Sequence, residues 1–304
     1  MKQFERSKRI SMVHSDIRGP IYQEALRMQR EGIDVLRLNT GNPAVFGFEM
    51  PESVRLALLE NADKAVAYCD VRGMPEAREA ILAYHKSRGV ENIGLDDIFI
   101  GNGVSELVQM VMTAAINNGD EVLIPQPNYS LWSNCVYMAG GQPVFYKCDE
   151  ENEWMPDLDD IRSKITDRTR ALVIINPNNP TGALYSKELL LDMLEIARQN
   201  GLLVFSDEIY DRLVMDGLVH YPTASLAPDL TVVTMNGLSK SHIICGFRCG
   251  WMVVSNSQNA KDLMGGVLAL AAMRLCGNAL TQLVIPAALS DPYSTRAMLV
   301  PGGR

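Results

Sequence analysis

Residues 171–182 read ALVIINPNNPTG, an aliphatic run that leads into a turn with three asparagines and two prolines. Such a run is typical of a buried strand, and the Asn, Pro and Gly residues that follow are typical of a turn. A helix-patterned segment follows at 186–200, and a second aliphatic run, LLVFSD, lies at 202–207. This order of strand, helix and strand predicts a parallel β-α-β unit.

The same alternation continues along the chain from about residue 97. It predicts an α/β fold with three layers, in which a mostly parallel seven-stranded sheet has helices on both faces. The expected strands are 97–101, 121–126, 143–148, 171–176, 202–207, 231–236 and 250–255. The expected helices are 20–31, 51–60, 75–88, 104–117, 129–139, 157–165, 186–200 and 258–276.

Charge and composition exclude several classes of function. The 304 residues include 36 acidic and 28 basic side chains, and a net charge of −8 argues against a nucleic-acid-binding surface, which needs a basic patch. The start MKQFERSKRI has no apolar core like that of a signal peptide, and no apolar run could span a bilayer. We therefore expect a cytoplasmic protein with small-molecule partners and no membrane contact. The six cysteines and four histidines lack ligand spacing, so no metal site is expected.

Four of the expected strands end in polar residues, in IGNGVSE, INPNNPTG, SDEIY and NGLSK. Ligands bind at the carboxyl ends of parallel strands, so these four ends could converge on one ligand. In the second, Pro180 pushes Asn179 toward extended backbone angles, which predicts a turn that aims one amide group. An ordinary loop is the alternative interpretation of that turn.

Two of these strand ends contain groups that could bind a charged ligand. In IGNGVSE, the backbone N–H groups of Val104, Ser105 and Glu106, after Gly103, would be free at a helix start and could bind phosphate. A simple tight turn is the alternative. In SDEIY, Asp207 ends a hydrophobic strand three residues before Tyr210. A buried carboxylate there needs a cation or hydrogen-bond donors beside it. An ordinary helix N-cap is the alternative for Asp207.

In NGLSKSHIICGFRCGW, Lys240 lies between Ser239 and Ser241, and Arg248 follows eight residues later. A desolvated lysine near other cations loses its proton readily and can condense with a carbonyl compound. A solvated loop lysine is the alternative for a lysine considered alone.

The motifs NPNNPTG, SDEIY and SKSHIICGFRCGW together resemble those of the fold type I, class I/II aminotransferases that use pyridoxal 5′-phosphate. The resemblance covers essentially the whole chain. More narrowly, DIRGP, LNTGNPAVFGF, YCDVRG, IGNGVSEL and MNGLSK are similar to the glutamate–pyruvate (alanine) aminotransferase branch. The resemblance implies ping-pong transamination between L-alanine and 2-oxoglutarate, which gives pyruvate and glutamate.

The resemblance also implies a role for each residue around the cofactor ring. Lys240 would hold the cofactor covalently and then move a proton between the substrate and the cofactor. Asp207 would pair with the pyridinium nitrogen and so keep the ring an electron sink. Tyr210 and Asn179 would hydrogen-bond the 3′ oxygen of the ring, and Tyr129 would stack on its face.

Other residues would bind the cofactor phosphate and the substrate. The expected phosphate contacts within the subunit are Gly103, Val104, Ser105, Ser239 and Arg248. Tyr68 would reach the phosphate of the neighbouring subunit, which implies a homodimer. Gly41, Asn179 and Arg18 would contact the substrate. Gly237 departs from the family pattern, because many relatives have a serine there.

The resemblance divides the chain into three parts. Residues 1–46 would form an arm and part of a small domain, 47–291 the large cofactor-binding domain, and 292–304 the start of the interdomain helix and of a truncated small domain. Family members continue past VPGGR for on the order of a hundred residues, which carry the arginine that clamps the substrate carboxylate. We therefore expect a truncated chain that binds cofactor and turns over little substrate.

Three alternatives to alanine transamination stay open at this point. The same cofactor cradle serves β-C–S lyases and decarboxylases, in which a different bond breaks. It also serves aminotransferases of other amino acids. A truncated chain could, finally, bind the cofactor or dimerise without catalysis.

Overall fold

A single mixed sheet of eight strands crosses the molecule in the order β1-β8-β7-β6-β5-β2-β3-β4. The structure is a computed structural model that describes residues 3–14, 19–292 and 295–298. The strands are β1 (Ile98–Asn102), β2 (Glu121–Gln126), β3 (Gln142–Asp149), β4 (Met155–Pro156), β5 (Thr169–Ile175), β6 (Leu203–Asp207), β7 (Val232–Gly237) and β8 (Cys249–Val254).

The α-helices of the described residues lie between and around these strands. They are α1 (Pro20–Arg30), α2 (Glu52–Asn61), α3 (Pro75–Ser87), α4 (Val104–Ala115), α5 (Leu131–Ala139), α6 (Leu158–Ser163), α7 (Lys187–Gln199), α8 (Leu238–Ser241), α9 (Lys261–Met273), α10 (Ala279–Gln282), α11 (Ile285–Ser290) and α12 (Thr295–Met298). All eight expected helices form. Helices α8, α10 and α11 were not expected, because four to six residues are too few to show a helical period. Helix α12 lies within residues 292–304, where the start of a helix was expected.

The mostly parallel α/β fold is confirmed, with one correction to the strand count. The seven expected strands form, and β4 is an eighth that the sequence did not predict. Its two residues pair antiparallel with Cys148 and Asp149 at the end of β3. Strand β8 runs antiparallel to both of its neighbours, β1 and β7. The other six strands therefore point in one direction, and their carboxyl ends share one edge of the sheet.

Helices cover both faces of the sheet, as expected. Successive strand residues point to opposite faces, so Val204 of β6 joins a core with α3, α7 and α11, whereas Phe205 joins a core with α4, α5 and α9. Ser186 is the N-cap of helix α7, and its hydroxyl accepts a hydrogen bond from the Leu189 N–H at 3.1 Å. In the described part of the chain, no helix combines the length and apolar content needed to cross a membrane.

The packing of α7 can be tested with two adjacent leucines. Leu190 is fully buried, whereas Leu191 is 41% exposed. We expect Leu190→Ala to lower the free energy of unfolding by about 3 kcal/mol, because it leaves a cavity between helix and sheet. Leu191→Ala should cost less than about 1 kcal/mol. Urea unfolding of the two variants measures the difference, and equal losses would contradict the orientation of α7.

Candidate active site

A cavity of ≈ 400 Å³ lies at the edge where the carboxyl ends of the parallel strands meet. Side chains from the ends of β5 and β6, the start of α4, helix α8 and the loop before α5 line it. The cavity brings together ten of the residues predicted from the sequence: Gly41, Val104, Ser105, Tyr129, Asn179, Asp207, Tyr210, Ser239, Lys240 and Arg248. Its position follows from the common direction of the six strands, because that direction fixes which loops meet.

One end of the cavity is suited to an anion. Gly103 precedes α4, so the N–H groups at the start of this 12-residue helix have no carbonyl partner within it. Arg248 lies beside this turn: a Cβ added at Gly103 would be 2.4 Å from Arg248 Nη2. A Cβ added at Gly250 would be 2.6 Å from the backbone nitrogen of Val104. The glycines therefore allow the β8 segment and its guanidinium to approach the helix start.

Asp207 supplies a buried carboxylate at the end of β6. Its Oδ2 accepts a hydrogen bond from Trp132 Nε1 at 3.0 Å, and its Oδ1 accepts one from the Ile209 N–H at 3.3 Å. Burial raises the pKa of Asp207 to about 6, although these hydrogen bonds act in the opposite direction. Residues 209–212 form turns, and no helix follows Asp207 there, so the helix N-cap interpretation is wrong. The sequence predicted a cation or a hydrogen-bond donor beside Asp207, and in the structure the indole of Trp132 is such a donor.

Lys240 and Tyr210 lie close together in the same cavity. The Lys240 ammonium is 5.9 Å from the centroid of the Tyr210 ring. Burial and the charge of Asp207 raise the pKa of Tyr210 to about 12, so its phenol is a hydrogen-bond donor at neutral pH. Gly41 also lines the cavity, and a Cβ added to it would lie 3.5 Å from Lys240 Nζ. The amine therefore lies close to the 39–41 segment.

The three asparagines of the turn after β5 have different surroundings. Asn176 Oδ1 accepts a hydrogen bond from the Tyr185 N–H at 2.9 Å, and Asn178 Oδ1 accepts one from the Thr181 hydroxyl at 3.0 Å. Both asparagines are buried and hold the turn closed. Asn179 instead lines the cavity, as the sequence predicted for one amide of this turn.

Two other predicted site residues do not line the cavity. Gly103 is not a lining residue, but a Cβ added to it would lie 2.4 Å from Arg248 Nη2. Tyr68 is 80% exposed and does not line the cavity of its own chain. Arg18 lies outside the described residues.

The structure adds two site residues that sequence reasoning missed. Asn128 lines the cavity, and its Oδ1 is buried without a hydrogen-bond partner among the described residues. Trp132 donates to Asp207 from a helix 75 residues earlier in the chain. Their nearness to Tyr129 in PNYSLW was the available signal, but it could not show which way either side chain points.

Gly237, which departs from the family pattern, is explained by packing. A Cβ there would lie 2.6 Å from the Cys249 carbonyl oxygen and 2.9 Å from Gly250 Cα. Strands β7 and β8 therefore leave no room for a side chain at this position. All six cysteines are free thiols, and within the described ranges no three His, Cys, Asp or Glu side chains are grouped as metal ligands.

Comparison with known proteins identifies the family. Residues 33–299 match the model of the aminotransferase class I and II family. The chain belongs to this family. It is 50% identical to glutamate-pyruvate aminotransferase AlaA of Haemophilus influenzae, over 100% of this chain and 76% of that relative.

Solved structures of aminotransferases agree with this assignment. An Escherichia coli aminotransferase superposes with a TM-score of 0.96 at 48% identity, covering 99% of this chain and 75% of that one. The alanine aminotransferase of Pyrococcus furiosus has a TM-score of 0.91 at 39% identity, covering 95% of this chain and 73% of that one.

Class I and II aminotransferases use pyridoxal 5′-phosphate, and the cavity fits this cofactor. The fit rests on three observations of the aminotransferase cavity itself. A helix N-terminus and a guanidinium meet at one end, where a Cβ at Gly103 would collide with Arg248. A buried carboxylate with a raised pKa lies at Asp207 and suits a cationic ring nitrogen. A lysine amine, Lys240, is within the same cavity.

The close approach at Gly103 predicts a specific loss of cofactor affinity. We expect Gly103→Ala to raise the Kd for pyridoxal phosphate at least about tenfold, because the new Cβ would push Arg248 away from the start of α4. Gly119→Ala is the matched control, since Gly119 also has a positive φ, +87°, but has open space around its Cα. Absorbance titration of both variants with the cofactor provides the measurement. Equal Kd values in the two variants would contradict the proposed anion end.

The burial of Asp207 predicts a pH dependence of the cofactor-free protein. The pKa is about 6 in the fold against about 3.9 in an unfolded chain, so the protonated form favours folding. This stabilisation is present below about pH 4 and is lost as the pH rises to about 6. The amide NH₂ of Asp207→Asn would face one of the two donors, Trp132 Nε1 or the Ile209 N–H, and this cost is the same at every pH. The stability of the variant relative to the parent should therefore be about 2 kcal/mol more favourable at pH 7 than at pH 4.

Urea unfolding at several pH values between 4 and 7 tests this expectation. The exposed Asp192→Asn on α7 controls for the removal of one negative charge. A gain at pH 7 that Asp192→Asn reproduces would show that net charge, and not the burial of Asp207, is responsible.

Proposed function

We propose that the protein transfers the amino group of L-alanine to 2-oxoglutarate, forming pyruvate and glutamate. The observation that carries the proposal is the placement of Lys240 in one cavity with Asp207 and with the anion-binding end at Arg248. Two relatives support the substrates: the Haemophilus influenzae protein is named a glutamate-pyruvate aminotransferase, and the Pyrococcus furiosus structure is an alanine aminotransferase.

In this proposal, pyridoxal phosphate supplies a protonated pyridine ring that withdraws the electrons left when the substrate loses its α-proton. Lys240 would hold the cofactor through a covalent bond to its amine. Once the amino group of the substrate has displaced it, the freed amine would take the α-proton and return it. The reach of Nζ toward Gly41 supports this role, because the amine can follow a substrate bound on that wall. The Lys240 amine is thus the one group that moves protons to and from carbon.

Asp207 and the ring nitrogen would stabilise each other. Asp207 is buried, and the described residues place no cation in ion-pair contact with it. A ring N–H would supply the missing partner, and the carboxylate would in turn keep that nitrogen protonated. The Trp132 hydrogen bond fixes Oδ2, so the carboxylate is held in one orientation.

The remaining contacts would orient the cofactor. Tyr210 is a donor at neutral pH, and with Asn179 it would bind the 3′ oxygen and lower the proton affinity of the bound chromophore. Tyr129 would stack against the ring. The phosphate would be held at the start of α4, by Ser239 and by Arg248. Gly41, Asn179 and Arg18 would contact the substrate.

We further propose a cytoplasmic homodimer in which Tyr68 contacts the phosphate of the neighbouring subunit. The exposed ring of Tyr68, which does not line its own cavity, supports this arrangement. The division into an N-terminal part (1–46), a large domain (47–291) and a further segment (292–304) is part of the same proposal.

The proposal predicts amino-group exchange that depends on Lys240. The purified protein with pyridoxal phosphate, alanine and 2-oxoglutarate should form pyruvate and glutamate in equal amounts, at the low turnover expected from the sequence, and Lys240→Ala should form neither product. Borohydride reduction should attach the cofactor to the peptide that contains Lys240. Lys187→Ala, in the first turn of α7, is the control and should leave both results unchanged.

The products separate this function from its alternatives. Pyruvate with free ammonia and no glutamate would indicate a lyase. Cofactor binding without either product would indicate a protein that is not competent for turnover. Recovery of the reduced cofactor on another lysine would contradict the role of Lys240.

A further inference from the structure

Three hydrogen-bond donors converge on a single oxygen of Asp211, the residue after Tyr210. Its Oδ2 accepts from the Tyr84 hydroxyl at 2.6 Å, from Asn236 Nδ2 at 2.8 Å and from Arg88 Nη1. The Asp211 side chain is only 1% exposed. Its other oxygen, Oδ1, is buried without a hydrogen-bond partner among the described residues. All three side-chain hydrogen bonds to the Asp211 carboxylate are therefore made to Oδ2.

Arg88 extends this network to the turn after β5. Its Nη2 lies 2.8 Å from Nδ1 of His220, and the other ring nitrogen, Nε2, lies 3.1 Å from the Asn176 carbonyl oxygen. A guanidinium can only donate, so Nδ1 of His220 must accept. Nε2 then carries the proton and donates it to the Asn176 carbonyl. His220 thus connects Arg88 by hydrogen bonds to Asn176, the first residue of the turn after β5.

The network joins three segments that each carry a residue of the cavity. The Asp211 N–H donates to the Glu208 carbonyl at 3.0 Å, in the turn that holds Tyr210. Asn236 Oδ1 accepts from the Gly237 N–H at 2.7 Å, directly before the helix that holds Lys240. The third segment, which begins at Asn176, holds Asn179.

We propose that Asp211 is a positioning residue that sets the relative placement of Tyr210, Asn179 and Lys240 through Asn236, Arg88 and His220. The inference rests on the proposed cofactor roles of those three cavity residues. Asp211 itself does not line the cavity. It acts by fixing where two hydrogen-bond donors meet the 3′ oxygen of the cofactor, and small displacements of such donors weaken their effect strongly.

Because only one oxygen of Asp211 accepts hydrogen bonds from side chains, a conservative substitution should preserve the network. In Asp211→Asn, the amide oxygen can replace Oδ2 and accept all three hydrogen bonds, and the amide NH₂ can take the position of Oδ1, which has no partner. Only the charge opposite Arg88 is lost. At His220, glutamine offers one acceptor for Arg88 and one donor for Asn176, whereas phenylalanine offers neither.

The test uses the pH at which the visible absorbance of the bound cofactor changes. Asp211→Ala and His220→Phe should move this midpoint upward by about one pH unit, because donors to the 3′ oxygen are displaced and its proton affinity rises. The Kd for pyridoxal phosphate should change less than about threefold, since the anion end lies outside the network. Asp211→Asn and His220→Gln should restore at least half of each shift.

Glu121→Ala is the matched control for lost stability. Glu121 is also a buried carboxylate, and it binds Thr166 and Arg168 at the start of β2, at the opposite edge of the sheet. This variant should lower the unfolding temperature without moving the absorbance midpoint.

Several results would overturn the inference. An unchanged midpoint in Asp211→Ala and His220→Phe would leave Asp211 with a structural role only. A Kd increase above about tenfold would show that the cavity collapses instead of losing its alignment. If Asp211→Ala fails to fold, the two His220 variants decide, because they leave Asp211 and its three donors in place.

The measurement also separates this inference from the proposed reaction, because the absorbance titration needs no amino donor. A shifted midpoint without alanine turnover would refute only the choice of substrate. Normal turnover with unshifted midpoints would refute only the positioning role. A parent protein that binds no pyridoxal phosphate would refute both.

Discussion

The burial of one carboxylate, that of Asp207, is the constraint on which the rest of the site depends. Burial raises its pKa to about 6, so the ionised form is costly unless a positive partner is present. This carboxylate lies at the carboxyl end of β6, where it accepts one hydrogen bond from Trp132 and one from the Ile209 N–H. These two hydrogen bonds offset only part of the free energy that burial of the charge costs. A cationic ring bound in the cavity would supply the rest, which links cofactor binding to stability.

The sheet makes this arrangement possible because six of its strands share one direction. Their carboxyl ends bring Asp207, Lys240 and the start of α4 to one cavity, although the three are far apart in sequence. Glycines set how closely these parts approach. Gly103 and Gly250 let β8 and Arg248 lie against α4, and Gly237 lets β7 lie against β8. Close packing of the backbone therefore brings the start of α4 and Arg248 into the same cavity as Lys240.

Some polar residues around the cavity line it, and others hold the lining segments in place. Only their contacts in the structure distinguish the two roles. Asn179 faces the cavity, whereas Asn176 and Asn178 hold the same turn closed. Tyr210 faces the cavity, whereas Asp211, the next residue, joins a buried network with Arg88 and Asn236. A residue next to a cavity residue in the sequence can thus hold that residue in position without lining the cavity itself.

The sequence by itself determined the seven main strands, the longer helices and the positions of the site motifs. These follow from local patterns: periodic apolar residues, turn residues such as Pro180, and polar residues at strand ends. Tertiary structure alone decided the two-residue strand β4, the direction in which Trp132 points and the reason for Gly237. It also decided the Asp211 network, in which Arg88 and Asp211 are 123 residues apart. Contacts between residues so distant leave no local pattern in the sequence, because they arise only when the packed sheet brings its ends together.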